Sequence, residues 1–322
     1  MKRFAIYLLF LTSLALPAIA AEGDDGPTET PVQPEITDNT DQVSQTDRAY
    51  GAYQRGMYLT AFALALPEAE NGDAAAQTLI AELYEAGLGV AKDKEEAASW
   101  YGIAARSGNR EAQFAYSVKL MKGDGVETDR EAGIEMMKVA AEAGHPTAMF
   151  NYANHLVEQR PTSATYRKVM PLYQKAAEYR LADAYYALAQ IHLEGRATGI
   201  QDPEKGRKWL LRAAHSGIDT AQVELGISLL KDKPTPEDEL RAQSWFRIAA
   251  NSGNVIARNR LAHLLFTGVG TKQARIEGAM WHILASRAGR HDLDLDQAME
   301  TMPADDRNKA VEWANRWPAR PS

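Results

Sequence analysis

Apolar and small residues recur along most of this chain about every three to four positions, in blocks separated by short polar turns. Such spacing places the apolar residues on one side of an α-helix, so each block predicts an amphipathic helix. The blocks come in pairs, and the pair recurs six times at intervals of 36 or 37 residues. The second block of each pair ends in two small residues. These endings are Ala104-Ala105, Ala140-Ala141, Ala176-Ala177, Ala213-Ala214, Ala249-Ala250 and Ala285-Ser286.

Two further positions keep the same register. A glycine follows most second blocks, where it suits the left-handed backbone that ends a helix, and only the third copy has Arg180 there. Inside the second block a tryptophan recurs, with Met136 and Leu172 at its place in two of the copies. The glycines are Gly108, Gly144, Gly217, Gly253 and Gly289, and the tryptophans are Trp100, Trp209, Trp245 and Trp281.

A helical pair repeated at this length predicts an all-α fold, a right-handed α-solenoid of stacked hairpins in which each repeat packs on its neighbours. The first helices are predicted to begin near Ala75, Glu111, Thr147, Asp183, Thr220 and Ile256. The second helices are predicted to begin near Lys94, Arg130, Thr165, Pro203, Glu237 and Gln273.

The start of the chain has the organisation of an export signal. Lys2 and Arg3 precede an apolar run over residues 4–16, and the small residues Ala18 and Ala20 follow. This predicts a signal peptide over residues 1–20, cleaved after Ala20. The run is shorter than the roughly 20 residues of a membrane span. We therefore expect a periplasmic protein with no membrane insertion; secretion from the cell is the alternative.

Composition narrows the class of partner. The chain contains no cysteine, and loss of the leader changes its net charge from −7 to −9, because Lys2 and Arg3 are removed. An acidic balance argues against nucleic acid and anionic membranes as partners. Residues 21–46 are rich in Asp, Glu, Thr and Pro, and such a segment predicts a disordered acidic linker.

The remaining chain divides into two caps and the repeats. Residues 47–71 carry two short helical patterns, which predict an N-terminal capping hairpin. The six repeats occupy residues 72–289, and residues 290–322 predict closing helices that cover the apolar end of the stack. Trp313 and Trp317 lie four residues apart in these helices, so we expect them to pack on the last repeat.

The third copy departs from the pattern. Its turn reads Glu158-Gln159-Arg160-Pro161 without glycine, and Pro171 falls inside the predicted second helix. A proline in a helix interior removes a backbone hydrogen bond and costs about 3 kcal/mol. We therefore expect residues 159–172 to be irregular, with a second helix that either begins late or is kinked. The fifth copy also lacks glycines in its turn, at residues 231–236.

The first complete repeat resembles the Sel-1-like repeat family, which is related to tetratricopeptide repeats. The resemblance rests on Ala75-Ala76-Gln77, Tyr84, Gly87-Leu88-Gly89-Val90, Trp100-Tyr101 and Ala104-Ala105. It implies an adaptor that assembles complexes in the periplasm or the endoplasmic reticulum. With a final helix over residues 305–317, this exported acidic array is also similar to periplasmic regulators of exopolysaccharide and motility in alphaproteobacteria. That second resemblance implies a regulator restraining a membrane sensor kinase by binding its periplasmic domain.

Each first helix has an alanine at the same place, which we call the repeat alanine: Ala76, Ala112, Ala148, Ala184, Ala221 and Ala257. A binding surface is predicted from the positions two, six and nine residues after it, which point towards the concave side of the stack. Phe114, Phe150 and Tyr186 form an aromatic ladder there, suited to an extended peptide or a partner helix. Two alternatives stay open: neighbouring helices bury these rings against one another, or the acidic linker folds back over them. The candidate partner-binding residues are Phe114, Val118, Phe150, Asn154, Tyr186, Gln190, Val223, Asn259 and His263.

No catalytic constellation is apparent. The seven histidines lie apart in the repeats, without the spacing of a metal site, so neither a metal nor a cofactor is expected. Asp292, Asp294 and Asp296 begin like a calcium loop, but Gln297 stands where that loop needs glycine, so they are interpreted as helix-start charges.

Ser228-Leu229-Leu230-Lys231 matches one element of penicillin-interacting enzymes without its companion motifs. The sequence thus favours a non-catalytic protein-binding scaffold or regulator. A cell-wall (peptidoglycan) binding protein or penicillin-interacting enzyme is the alternative.

Overall fold

The computed structural model describes residues 43–231, 233–268 and 274–317, and these ranges contain sixteen α-helices and no β-strand. Helices α1 to α14 pair into seven consecutive hairpins, and α15 and α16 follow as closing helices. The predicted all-α solenoid is confirmed. The bounds are α1 Gln45–Gln54, α2 Tyr58–Glu70, α3 Ala74–Ala86, α4 Lys94–Arg106, α5 Arg110–Lys122, α6 Arg130–Glu142, α7 Pro146–Gln159, α8 Ser163–Glu178, α9 Ala182–Leu193, α10 Pro203–His215, α11 Asp219–Leu229, α12 Pro236–Asn251, α13 Val255–Thr267, α14 Arg275–Arg287, α15 Leu293–Glu300 and α16 Ala304–Arg316.

Several sequence-based predictions fall outside the described residues. These are the signal peptide, the acidic linker over residues 21–42, and the start of the last second helix at Gln273. The linker was predicted to extend to residue 46, but α1 begins at Gln45, because the side chain of Ser44 caps that helix by accepting a hydrogen bond from Asp47 N–H.

Local capping explains where the first helices begin and end. Asp73, Asn109 and Asn254 each accept a hydrogen bond from a backbone N–H in the first turn, so α3, α5 and α13 begin within one residue of the predicted positions. Gly87 and Gly123 end α3 and α5 with φ of 70° and 71°, in the left-handed region that glycine enters without strain. Short sequence signals therefore fix these ends without help from the rest of the fold.

In three of the six repeats a glutamine follows the repeat alanine and bonds its hairpin to the preceding one. The Nε2 of Gln77, Gln113 and Gln222 donates to an alanine carbonyl near the end of the preceding second helix, at 3.0, 3.2 and 3.0 Å. All three side chains are buried. Because the bond recurs at the same place, these three hairpins stack on their predecessors in the same register.

Large residues on the first helices are each followed by a small residue, and both are buried or partly buried between the helices. Ile80, Leu188 and Leu261 are fully buried, and the small residue that follows each of them is buried too. At α11 the small residue is Gly226, which lies against the ring of Phe246 from α12. A methyl group or a single hydrogen at these positions lets two helices approach closely.

In the third copy the late start of the second helix, one of two predicted alternatives, is wrong, and the kink at Pro171 stays a prediction. Its second helix, α8, does not begin late: it begins at Ser163 and runs unbroken to Glu178 with Pro171 inside it. Thr162 caps the helix by accepting a hydrogen bond from Thr165 N–H, and Val169 and Tyr173 on either side of the proline are buried. Apolar burial therefore holds the helix together across a residue that disfavours it.

The aspartates near the C-terminus are helix-start charges, as predicted. Asp292 is the N-cap of α15 and accepts a hydrogen bond from Leu295 N–H at 3.2 Å, and Asp294 and Asp296 lie in the first turn.

Within the described ranges, none of the helices has the length and apolar character needed to cross a bilayer.

Candidate partner-binding surface

The first helices of the six repeats, α3, α5, α7, α9, α11 and α13, present the predicted ladder on one side, which we call the first-helix face. Phe114, Phe150 and Tyr186 are each partly buried. Each ring is supported by one neighbour. Phe114 stacks on the imidazole of His145 with ring centres 4.4 Å apart, and Phe150 meets Tyr173 edge to face at 5.7 Å. The rings are thus held in place while part of their surface stays exposed to solvent.

Tyr186 is held by a carboxylate from the next repeat. Its hydroxyl donates to Glu224 Oε1 at 2.7 Å, and Gln190 Nε2 donates to Glu224 Oε2 at 2.7 Å. Burial and the hydrogen bond to Glu224 raise the pKa of Tyr186. The sequence pattern predicted Tyr186 and Gln190 as site residues but missed Glu224. Glu224 directly follows Val223, which is the residue that the pattern selected in that helix.

Asn154 is anchored in the same way within its own repeat. Its Oδ1 accepts a hydrogen bond from Tyr173 at 2.7 Å, and Tyr173 also supports Phe150. The Asn154 side chain remains partly exposed, with its amide nitrogen still able to donate. Phe150 and Asn154 therefore form a mixed apolar and polar position on the first-helix face.

Three of the predicted surface residues are in the interior. Val118, Val223 and Asn259 are 9, 5 and 2% exposed, so the surface available to a partner is narrower than the sequence pattern indicates. Val223 belongs to the C-terminal core, where Phe246 and Leu261 are also buried. Packing between neighbouring helices covers these positions. The sequence pattern could not predict this, because it considers the positions along one helix only.

The C-terminal end of the face is closed by α15. Asn259 Nδ2 donates to Asp292 Oδ2 at 2.8 Å, and His263 Nε2 lies 2.9 Å from the same oxygen. Burial alone would raise the pKa of Asp292, but hydrogen bonds from Asn259 and His263 hold it below its usual range. Asn259 and His263 thus fasten the closing helices to the last repeat.

Carboxylates dominate the N-terminal end of the face. Burial raises the pKa of Glu82 to about 7, and the negative charge of Glu111 adds to this effect. Glu111 is itself bonded to His145, whose Nε2 lies 2.8 Å from Glu111 Oε2, and this bond lowers the pKa of Glu111. Lys119, on the neighbouring helix α5, is 5% exposed and pairs with Glu85 and Asp124.

His145 has a structural role that explains its burial. Its Nδ1 accepts a hydrogen bond from Ala148 N–H at 3.1 Å, which caps α7, and Nε2 faces Glu111. Both ring nitrogens are therefore used, and neither is available to a metal ion. Among the residues that the structure describes, no cluster of three or more His, Cys, Asp and Glu is arranged to hold one.

A second feature lies at the C-terminal cap, away from the first-helix face. Trp317 packs edge to face on the buried Trp281 with ring centres 4.7 Å apart, whereas Trp313 is 43% exposed. Trp281 Nε1 donates to Glu277, which also pairs with Arg247. Together these residues line a cavity of about 440 Å³. Trp317 thus packs on the last repeat as predicted, while Trp313 faces solvent.

The Ser-x-x-Lys match has a simple structural explanation. The hydroxyl of Ser228 donates to Leu225 O at 2.7 Å, within its own helix. The proton that a nucleophilic serine would give to a base is thus directed at a backbone carbonyl. Nothing in the geometry at Ser228 favours a penicillin-interacting enzyme.

Helical hairpins that recur at a fixed interval and stack on one another define a protein of the α-solenoid class. The profile of the Sel1 repeat matches residues 74–109, 110–145, 182–218, 220–254 and 255–289, more than half of the chain, so the protein belongs to the Sel1 repeat family. The matches omit residues 146–181, which contain the third copy with its glycine-free turn and Pro171. Sel1 repeat proteins generally mediate protein–protein interaction, and their scaffold is typically non-catalytic.

Two solved structures share the fold. The protective antigen c5321, present in uropathogenic Escherichia coli strains, is 22% identical with a TM-score of 0.66, and the match covers 86% of this chain and 69% of that one. A Sel1 repeat protein from Oxalobacter formigenes is 25% identical with a TM-score of 0.63, covering 81% of this chain and 99% of that one. No curated protein sequence matches the chain significantly.

Proposed function

We propose that this protein is a non-catalytic interaction module that binds a peptide or helix of a protein partner along its first-helix face. The proposal rests mainly on the aromatic ladder of Phe114, Phe150 and Tyr186. These rings recur at intervals of 36 residues, are supported from one side, and are partly exposed. Aromatic residues held rigid by their neighbours bind a partner at low entropic cost, which is why they dominate protein interfaces.

The proposed location is the bacterial periplasm. It is supported by the signal peptide that the sequence predicts over residues 1–20. A membrane sensor whose periplasmic domain is restrained by this protein is the kind of partner that the resemblance to periplasmic regulators suggests.

Crosslinking in cells tests the binding face. A photoreactive amino acid is introduced at Asn154, and captured proteins are identified from the periplasmic fraction. The experiment is repeated in a Phe114→Ala/Phe150→Ala background and, as a matched control, with Tyr179→Ala, an aromatic residue that is 54% exposed beyond the end of α8. We expect one protein partner to be captured by the parent and the control and lost from the ladder variant.

Two results would contradict the proposal. Equal capture by the ladder variant would exclude the aromatic rings from the binding surface. Recovery of peptidoglycan fragments without a protein would instead favour the cell-wall alternative. Far-UV circular dichroism of each variant confirms that a loss of capture does not come from unfolding.

A further inference from the structure

The first-helix face carries negative charge that the protein itself leaves uncompensated. Glu82 on α3, Asp183 on α9 and Glu224 on α11 form no ion pair with a lysine or arginine of the described ranges. Lys119 is already engaged with Glu85 and Asp124, and it is buried. The acidic stretch ends at α13, where Arg260 occupies the position equivalent to Glu224.

Partial burial makes this charge costly in the free protein. Burial is the largest effect on both Glu82 and Asp183, and it raises the pKa of each above its ordinary value. A carboxylate removed from water is stabilised when an opposite charge lies within about 4–6 Å. Because no lysine or arginine of the described residues pairs with Glu82 or Asp183, a bound partner that brings a cation would add a favourable interaction.

Glu224 is already oriented for such a contact. Tyr186 and Gln190 each donate to one of its oxygens, which fixes the plane of the carboxylate. Each oxygen has a second lone pair, so the group can still accept hydrogen bonds from an ammonium or guanidinium. The ring of Tyr186 lies beside it, and aromatic faces also attract cations.

From this arrangement we infer that the partner segment bound on the first-helix face is basic. It carries apolar side chains that cover Phe114 and Phe150 and lysines or arginines that reach Glu82 and Glu224. The inference rests on the proposed function, since it describes the chemistry of the partner at the same surface. Charge complementarity supports a basic protein segment here, and it disfavours nucleic acid or an anionic membrane.

Two synthetic peptides test the inference with purified protein. Both are 30-residue amphipathic helices, about 45 Å long so that they can span four repeats, with the same leucine positions; their charged positions are all lysine in one and all glutamate in the other. Fluorescence anisotropy measures their dissociation constants at low and at high salt. We expect the lysine peptide alone to bind, and its affinity to fall as salt is added.

Charge-neutral variants locate the binding. Glu82→Gln/Glu224→Gln should weaken the lysine peptide by about tenfold or more, which two lost charge contacts would produce. The matched control is Glu142→Gln/Glu178→Gln, which removes the same charge from exposed ends of second helices. The control should bind as tightly as the parent.

The outcomes separate this inference from the proposed function. Equal binding of the two peptides, equal losses in the two charge variants, or no binding of the lysine peptide at millimolar concentration would each overturn the basic partner. If Phe114→Ala/Phe150→Ala weakens the peptide while Glu82→Gln/Glu224→Gln does not, the ladder still binds but the charge inference fails. If only the charge variant weakens it, the basic preference stands and the ladder has no part in binding.

Discussion

Glu82 is a partly buried carboxyl group, and no lysine or arginine among the residues that the structure describes pairs with it. Its pKa is raised to about 7 by burial and by the nearby charge of Glu111, against about 4.5 in the unfolded chain. The folded protein therefore holds this proton more tightly than the unfolded chain does. Protonation of Glu82 therefore stabilises the folded protein. This stabilisation is fully present below pH 4.5 and is lost as the pH rises through 7.

This predicts a pH-dependent effect of Glu82→Gln. Near pH 4.5 the variant and the parent should have similar free energies of unfolding, whereas at pH 8 the variant should be more stable by roughly 1–2 kcal/mol, since it has no charge to bury. Urea unfolding at both pH values measures the difference. Glu142→Gln, at an exposed helix end, should show no such dependence. If the difference in free energy of unfolding between Glu82→Gln and the parent were the same at both pH values, the prediction would be wrong.

Gly226 illustrates a packing requirement at a single residue. A Cβ added there would lie 2.7 Å from Phe246 Cε1, and Phe246 is fully buried. Gly226→Ala should therefore destabilise the protein by roughly 1–3 kcal/mol, although alanine is the better helix former.

The control for this prediction is Gly51→Ala in α1. A Cβ at Gly51 would meet only the flexible end of Arg55 at 3.4 Å, so alanine should stabilise that helix by roughly 0.5–1 kcal/mol. Chemical denaturation measures both changes. Opposite signs are expected, and a stabilising Gly226→Ala would show that the Phe246 ring moves aside without cost.

At the scale of elements, helix positions followed from the sequence because their signals are local. The capping side chains of Asp73, Asn109 and Asn254 and the glycines at turns act within a few residues of the helix ends, so the repeat register predicted most helix starts within two residues. Helix α8 was predicted to begin near Thr165, close to its start at Ser163, but the irregularity expected before Leu172 is not seen in this helix, because Val169 and Tyr173 on either side of Pro171 are buried. The free-energy cost of proline in a helix can be read from the sequence at Pro171, but the burial that offsets this cost cannot.

Pro171 should therefore be a destabilising residue in its own helix. Pro171→Ala restores a backbone N–H inside α8, and we expect the free energy of unfolding to rise by roughly 1–2 kcal/mol after the greater flexibility of the unfolded chain is subtracted. Pro203→Ala is the matched control. Pro203 stands at the start of α10, where proline fits without loss of a hydrogen bond, so this change should not stabilise the protein. Similar effects at both positions would argue that α8 has already adapted to its proline.

At the scale of the whole molecule, the candidate site was only partly predictable. The ladder residues could be found because they recur with the repeat. Glu224 could not, because its role depends on Tyr186 and Gln190 from the preceding repeat. The burial of Val118 and Asn259 likewise depends on how neighbouring helices pack. Periodicity specifies which residues are equivalent, but contacts between successive repeats decide which of them reach the surface.

A stack in which each repeat contacts its neighbours should lose stability locally when one end is opened. Trp317 covers Trp281 at the C-terminal end, and Trp281 is 1% exposed. Trp317→Ala should cost about 2 kcal/mol, because apolar burial is lost and a cavity opens beside α14. Hydrogen exchange should show the loss of protection in α14 and α16, with α3 and α5 unchanged.

Trp313→Ala serves as the control for this last change, since Trp313 is 43% exposed and its removal takes less surface out of the core. We expect it to leave the exchange of α14 close to that of the parent. A loss of protection spread evenly over all repeats after Trp317→Ala would mean that the solenoid unfolds as one cooperative unit. In that case the closing helices would stabilise the first-helix face as well as their own end, and changes at the C-terminus would alter partner binding from a distance.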